Sequence, residues 1–179
     1  MKIALFSSWL PEVSEYNKNV AEGIAEYLHT RGVVLVTGGC TGIPAIAVEA
    51  MHKIGGMTVG YFPHTDRKEY IEKRHIKNAH ALEYYSSTKF VTGFTARSLK
   101  MIEEVDAVIV MNGRIGTLSE TGIAIEEGLP IAVIEGTGGI ADELLNIMIA
   151  AKKTLPKKEV IFERDYKKAI DHLITEWQS

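Results

Sequence analysis

Short unbroken apolar runs punctuate this chain, and between them apolar residues recur at three- and four-residue spacing. The runs predict buried strands, and the spaced positions predict amphipathic helices. The first strand is expected over Lys2–Ser7, followed by a helix with Val20, Ile24, Tyr27 and Leu28 on one face. Gly32 precedes a second strand, Val33–Thr37, whose VVLV run is apolar on both faces and belongs inside a parallel sheet. Past Gly38-Gly39-Cys40-Thr41-Gly42, the residues Ile43, Ile46, Ala47, Ala50, Met51 and Ile54 make a helical stripe. Pro44 is tolerated in its first turn, and Gly55-Gly56 stops it. A third strand covers Met57–Phe62.

Residues 63–92 are the least regular stretch, read as a polar helix over Asp66–His75 and a short strand over Ala81–Tyr85. A helix over Thr95–Glu104 leads to the apolar strand Ala107–Met111. The loop Asn112-Gly113-Arg114-Ile115-Gly116 then opens a helix from Thr117 to Glu127, ended by Gly128. Pro130–Ile134 is a strand, and a third glycine-rich turn, Gly136-Thr137-Gly138-Gly139, precedes a helix over Ile140–Ala151. Pro156 marks a loop before the last strand, Val160–Phe162. The final helix carries Tyr166, Ala169, Ile170, Leu173, Ile174 and Trp177 on one face.

Strands alternating with amphipathic helices predict βαβ units: a Rossmann-like, doubly wound, mostly parallel sheet in three α/β/α layers. Right-handed crossovers leave few topologies. The expected central order is 3-2-1-4-5-6, with Ala107–Met111 as the fourth strand and Ala81–Tyr85 at the periphery. No repeat, low-complexity segment or linker interrupts residues 1–179, so one nucleotide-binding domain is expected.

Composition narrows the function. Apolar residues make up 46% of the 179, enough for a sizeable core. The net charge is −3 and no basic run occurs, which argues against a nucleic-acid partner. Arg67, Lys68, Lys73 and Arg74 alternate with Asp66, Glu69 and Glu72, the pattern of a solvated helix face. A single cysteine, Cys40, excludes an intrachain disulfide and suits the cytoplasm. The N-terminal apolar run breaks at Pro11, so it reads as a strand and not a signal peptide, and no stretch approaches a membrane span.

In such sheets ligands bind beyond the carboxyl ends of the strands, at the switch point. Three turns converge there: Ser7-Ser8, Gly38–Gly42 and Asn112–Thr117. The last two lead into helix N-termini, whose amides and dipole favour phosphate. The dinucleotide fingerprint GxGxxG is absent after the first strand, where the chain reads SSWLPE, no P-loop pattern occurs, and the six histidines show no metal-site spacing with Cys40 or carboxylates. Within NGRIGTLSE, Thr117 and Glu120 have capping-box spacing. The alternative reading puts the Thr117 hydroxyl and the Gly116 backbone on a phosphate and Glu120 on a sugar.

Taken in order, Gly38-Gly39…Gly42, the run TARSLKM and NGRIGTLSE resemble the superfamily of Lonely Guy-type nucleoside-monophosphate phosphoribohydrolases. That superfamily includes molybdenum-cofactor carrier proteins and proteins labelled "possible lysine decarboxylase". The resemblance spans roughly residues 2–150, and its most specific element is PGGxGTxxE, matched by Asn112–Glu120. It implies that Gly113, Gly116 and Thr117 hold a 5′-phosphate, and that Glu120 contacts ribose and, with Arg97, supports cleavage of the N-glycosidic bond. It also implies a homodimer or larger assembly. Two residues depart from the motif: Asn112 stands for proline and Arg114 for glycine. An arginine there either blocks close backbone approach or adds a bidentate phosphate contact. The decarboxylase label finds no pyridoxal-phosphate lysine site in this sequence.

Two functions remain open. One is binding of a nucleotide or a pterin-type phosphorylated ligand such as the molybdenum cofactor, by Ser7, Ser8, Gly38, Gly39, Gly42, Gly113, Arg114, Gly116 and Thr117. The other is hydrolysis of a nucleoside 5′-monophosphate, with Glu120 and Arg97 catalytic. No residue is assigned as a metal ligand in either.

Overall fold

The computed structural model describes residues 1–73, 82–151 and 160–179. Seven parallel strands form one sheet: β1 Lys2–Phe6, β2 Val34–Thr37, β3 Thr58–Phe62, β4 Ser87–Phe90, β5 Ala107–Met111, β6 Ile131–Ile134 and β7 Val160–Glu163. Their spatial order is β4-β3-β2-β1-β5-β6-β7. The helices are α1 Glu15–Thr30, α2 Ile43–Lys53, α3 Arg67–Lys73, α4 Phe94–Ile102, α5 Ile115–Glu126, α6 Gly139–Ala150 and α7 Tyr166–Gln178.

Period-two alternation along the central strands divides the core between the two faces of the sheet. Ile3 and Leu5 of β1 pack with α1, α2 and α7, through residues such as Ile24, Met51 and Ile170. Ala4 and Phe6 face the other way, toward Met101 of α4, Ala124 of α5 and Leu144 of α6. All five residues of β5 are buried, as a strand covered by helices on both faces requires. β1 lies between β2 and β5, with Ile3 beside both Leu35 and Ala107. The chain thus leaves β1 toward one edge and returns at β5 to build the other. The loops after β1 and β5 diverge at this switch point and leave a crevice.

The short strand is displaced from its expected place. Ala81 lies outside the described residues, as do the His75 end of the polar helix and the Pro156 loop. The edge strand is Ser87–Phe90, paired to β3 on one side only. The apolar letters of ALEYY serve another purpose. Leu82 and Tyr85 are buried from a turn, and the Tyr85 hydroxyl meets Thr37 Oγ1 at 2.7 Å. An edge strand needs no continuous apolar run, so its sequence signal is weaker. Lys68 and Lys73 of α3 pair with Glu72 and Glu69 four residues away, as on a solvated helix face. Among the described residues, no helix is long and apolar enough to cross a membrane.

Candidate functional site

The crevice is a cleft of about 690 Å³. Ser7, Ser8, Gly38, Arg97, Arg114, Gly116, Thr117 and Glu120 all line it. Gly39, Gly42 and Gly113 do not, because they build the turns behind it. Gly39 has φ +63 and leaves room for the Phe62 ring. Gly42, at φ +71, lets the α2 turn close onto the carbonyls of Ser8 and Leu10, which a Cβ would overlap. Gly113, at φ +99, packs against the Thr117 side chain.

Helix α5 begins two residues earlier than expected, at Ile115, with the extended Arg114 as its N-cap. That shift removes the capping box. Thr117 is now the third helical residue, and its hydroxyl donates to the Ser7 carbonyl at 3.2 Å, tying α5 to the loop after β1. Among the described residues, no side chain caps α5. Leu118 N–H makes the first helical bond, to the Arg114 carbonyl. The amides of Ile115, Gly116 and Thr117 therefore have no partner among the described residues.

Gly116 stands out among these residues. It has ordinary helical backbone conformation, and a Cβ there would meet nothing within 4 Å. Neither strain nor packing asks for glycine at this position, although glycine in a helix costs about 0.5–1 kcal/mol relative to alanine. Its effect is a bare backbone floor in the cleft.

The α2 terminus is different. Ile43 N–H already donates to the Ser8 carbonyl, and Pro44 has no N–H to offer. Among the described residues, α2 thus keeps one helical amide without a partner, that of Ala45, against three at α5.

Glu120 does not reach back to its own helix end. Arg97 Nη1 and Ser98 Oγ both donate to its Oε1, at 2.9 and 2.7 Å. The Arg97–Glu120 pair is largely buried, with side-chain exposures of 6% and 15%. Arg97 lies so close over Gly38 that a Cβ on that glycine would overlap its guanidinium. Glu120 Oε2 has no partner among the described residues, and two buried atoms of cleft-lining residues, Ser7 Oγ and Arg97 Nε, have none either. Arg114 is exposed at the mouth and makes no ion pair among the described residues.

Several residues were missed from sequence. Ser98 shares the Glu120 oxygen with its neighbour Arg97, although adjacent helical residues point about 100° apart. Only the packing of α4 against α5 brings both to one carboxylate. Trp9, Phe94 and Ile115 line the mouth and remain exposed; their apolar character gave no sign of a site.

The Asn112 departure from the motif also has a local explanation. Its φ is +51, its N–H donates to Thr137 Oγ1 at 2.8 Å, and its side-chain amide donates to the Thr137 carbonyl at 2.7 Å. Proline could adopt neither the angle nor the bond.

Comparisons with known proteins fit this architecture. The model of the SLOG cluster4 family matches residues 10–170. An uncharacterized protein of Archaeoglobus fulgidus is 27% identical over 132 residues, 70% of this chain and 79% of that protein. The solved structure of TM1055 superposes with a TM-score of 0.78 at 20% identity, covering 97% of this chain and 98% of that one. The molybdenum cofactor carrier protein of Chlamydomonas reinhardtii gives 0.75 at 18% identity, covering 99% and 98%. The molybdenum cofactor binding protein of Rippkaea orientalis gives 0.74 at 19%, covering 99% and 97%.

One expectation is overturned. DNA processing protein A of Helicobacter pylori, described by its single-stranded DNA binding mode, has the same fold, with a TM-score of 0.70 at 19% identity over 98% of this chain and 81% of that one. The exclusion of nucleic acid therefore does not stand. It rested on charge runs in the sequence, whereas single strands are also held by stacking on aromatic rings, which such runs do not reveal. With its model matched over residues 10–170, the chain belongs to the SLOG cluster4 family.

Proposed function

We propose that the cleft binds a small phosphorylated ligand, with its phosphate on the amides of Ile115, Gly116 and Thr117 and beside the Arg114 guanidinium. The observation that carries this reading is the uncapped N-terminus of α5 opening on the cleft at a glycine that the fold itself does not need. Donors at a helix N-terminus favour a phosphate, and an unpaired arginine adds charge-assisted bonds. The partnerless Ser7 Oγ and Arg97 Nε support a ligand that completes their hydrogen bonding. A nucleotide or a pterin-type phosphate such as the molybdenum cofactor is the ligand class. The second is the cargo named for two proteins of this fold. A chain with one cysteine suits work in the cytoplasm.

A second reading is hydrolysis of a nucleoside 5′-monophosphate to base and ribose 5-phosphate. It rests on Glu120, whose Oε1 is held by Arg97 and Ser98 while Oε2 stays available at the cleft. A carboxylate so fixed would stabilise oxocarbenium-like charge on ribose and position water, as in glycoside cleavage.

Incubation with a panel of nucleoside monophosphates, assayed for free base and ribose 5-phosphate, separates the two readings. Release of base that Glu120→Gln abolishes, with nucleotide binding retained, establishes hydrolysis. Calorimetric binding without release in the wild type leaves the carrier reading, and no binding of any phosphate compound refutes both.

A further inference from the structure

Trp9 is held by its backbone and leaves its ring in water. Thr41 Oγ1 donates to the Trp9 carbonyl at 2.7 Å, and Leu10 N–H donates to Ser8 Oγ at 3.3 Å. Ile43 N–H takes the Ser8 carbonyl at 3.1 Å, and Gly42 has no Cβ because one would overlap this very segment. The loop after β1 is thus clamped to the start of α2. Yet the Trp9 residue is 54% exposed, and its indole has no ring partner among the described residues. Phe94, the first residue of α4, is 67% exposed at the same cleft and likewise lacks a ring partner. Large exposed aromatic surface beside a cleft marks binding, since the fold gains nothing from leaving it in water.

We propose that Trp9, with Phe94 lining the same cleft, is a stacking platform for a planar heteroaromatic ring, and that the ligand joins such a ring to the phosphate held at α5. This assignment rests on the phosphate reading above and adds a second subsite to it. The rigid backbone of Trp9 keeps the ordering cost of stacking low, because the platform is in place before the ligand arrives. The occupant is a small ligand, because the cleft volume is that of a small-molecule pocket.

The sequence has two tryptophans, so Trp177→Phe leaves Trp9 as the sole indole reporter. This protein is titrated with the common ribonucleoside 5′-monophosphates, with ribose 5-phosphate and with an oligodeoxythymidine, by fluorescence and by calorimetry. At least one monophosphate is expected to quench Trp9, while ribose 5-phosphate binds without quenching. Trp9→Ala should weaken that monophosphate roughly tenfold and leave ribose 5-phosphate unchanged, with Trp9→Phe retaining most of the affinity. The stacking subsite is overturned, with the phosphate site intact, if ribose 5-phosphate binds but Trp9→Ala leaves every monophosphate unaffected. Tighter, Trp9-dependent binding of the oligodeoxythymidine than of any monophosphate overturns the small-ligand assignment. If neither ribose 5-phosphate nor any monophosphate binds, both subsites are refuted.

Discussion

Two glycine-rich turns sit side by side at the carboxyl ends of β5 and β6 and look alike in sequence, yet they do opposite things with their helix termini. The turn before α5 leaves three amides open on the cleft. The turn before α6 leaves little open. Ile140 N–H donates to the Gly113 carbonyl at 3.1 Å, Ala141 N–H donates to the Asn112 carbonyl at 2.9 Å, and Asp142 accepts from Gly136 and Gly138. The α6 terminus thus takes up the carbonyls of the α5 turn. Asn112 and Thr137 fasten the two turns further, and Asn17 of α1 donates to the Thr137 carbonyl at 2.9 Å. Glycine content does not separate a binding turn from a supporting one. The fate of the terminal N–H groups does.

The largest effect should come from the supporting turn. Gly139 has φ +60, and a Cβ there would overlap the Gly113 carbonyl. Gly139→Ala is expected to cost about 3 kcal/mol by chemical denaturation, from backbone strain and overpacking together. It should also weaken ligand binding at a site it does not touch. A stable variant with normal binding would show that the two turns are independent.

Asn112→Gly keeps the positive φ but removes the side-chain bonds to Thr137 and Gly113 N–H. A loss of about 1–2 kcal/mol in the same assay is expected.

At Gly116 the comparison predicts opposite signs for stability and binding. Gly116→Ala should raise stability by about 0.5 kcal/mol, since a methyl group there is unhindered and glycine lowers helix stability. Binding of ribose 5-phosphate should fall by about tenfold, equivalent to about 1.4 kcal/mol. Unchanged affinity would remove Gly116 from the site.

The smallest effect lies away from both turns. The Lys89 ammonium, aided by the Tyr61 hydroxyl, pulls the Glu104 carboxyl down to about 2, and burial together with Glu104 raises Tyr61 above its usual range. Because the folded-state value is depressed, this stability is fully present above the ordinary value near 4.5 and fades as the pH falls toward about 2. Glu104→Gln should flatten that part of an acid-unfolding profile while leaving ligand binding at neutral pH untouched.

Much of the fold was legible because burial on both faces leaves a strong mark. VVLV and AVIVM read as central parallel strands, and right-handed crossovers leave few orders around β1. The edge strand β4 was misplaced because half-exposed STKF carries less apolar signal than the buried turn residues Leu82 and Tyr85. Within the site, Arg97 and Glu120 were named, and they do meet. The start of α5 was misjudged because T-x-x-E spacing imitates a capping box, whereas the Thr117 hydroxyl is spent on Ser7 and Glu120 on α4. Ser98 and the α5–α6 tie depend on how helices pack, which local spacing does not encode. The charge argument against nucleic acid failed for a related reason: charge runs say nothing about exposed rings gathered from distant segments.

The central claim is that the α5 terminus, and not its neighbours at α2 or α6, receives the phosphate. A crystal structure of the protein soaked with a nucleoside monophosphate tests it directly. Phosphate oxygens are expected within hydrogen-bond distance of the Gly116 and Thr117 amides, with the Arg114 guanidinium beside them. A phosphate seated instead at Gly138-Gly139 or against the start of α2, with the α5 amides facing water, would contradict it.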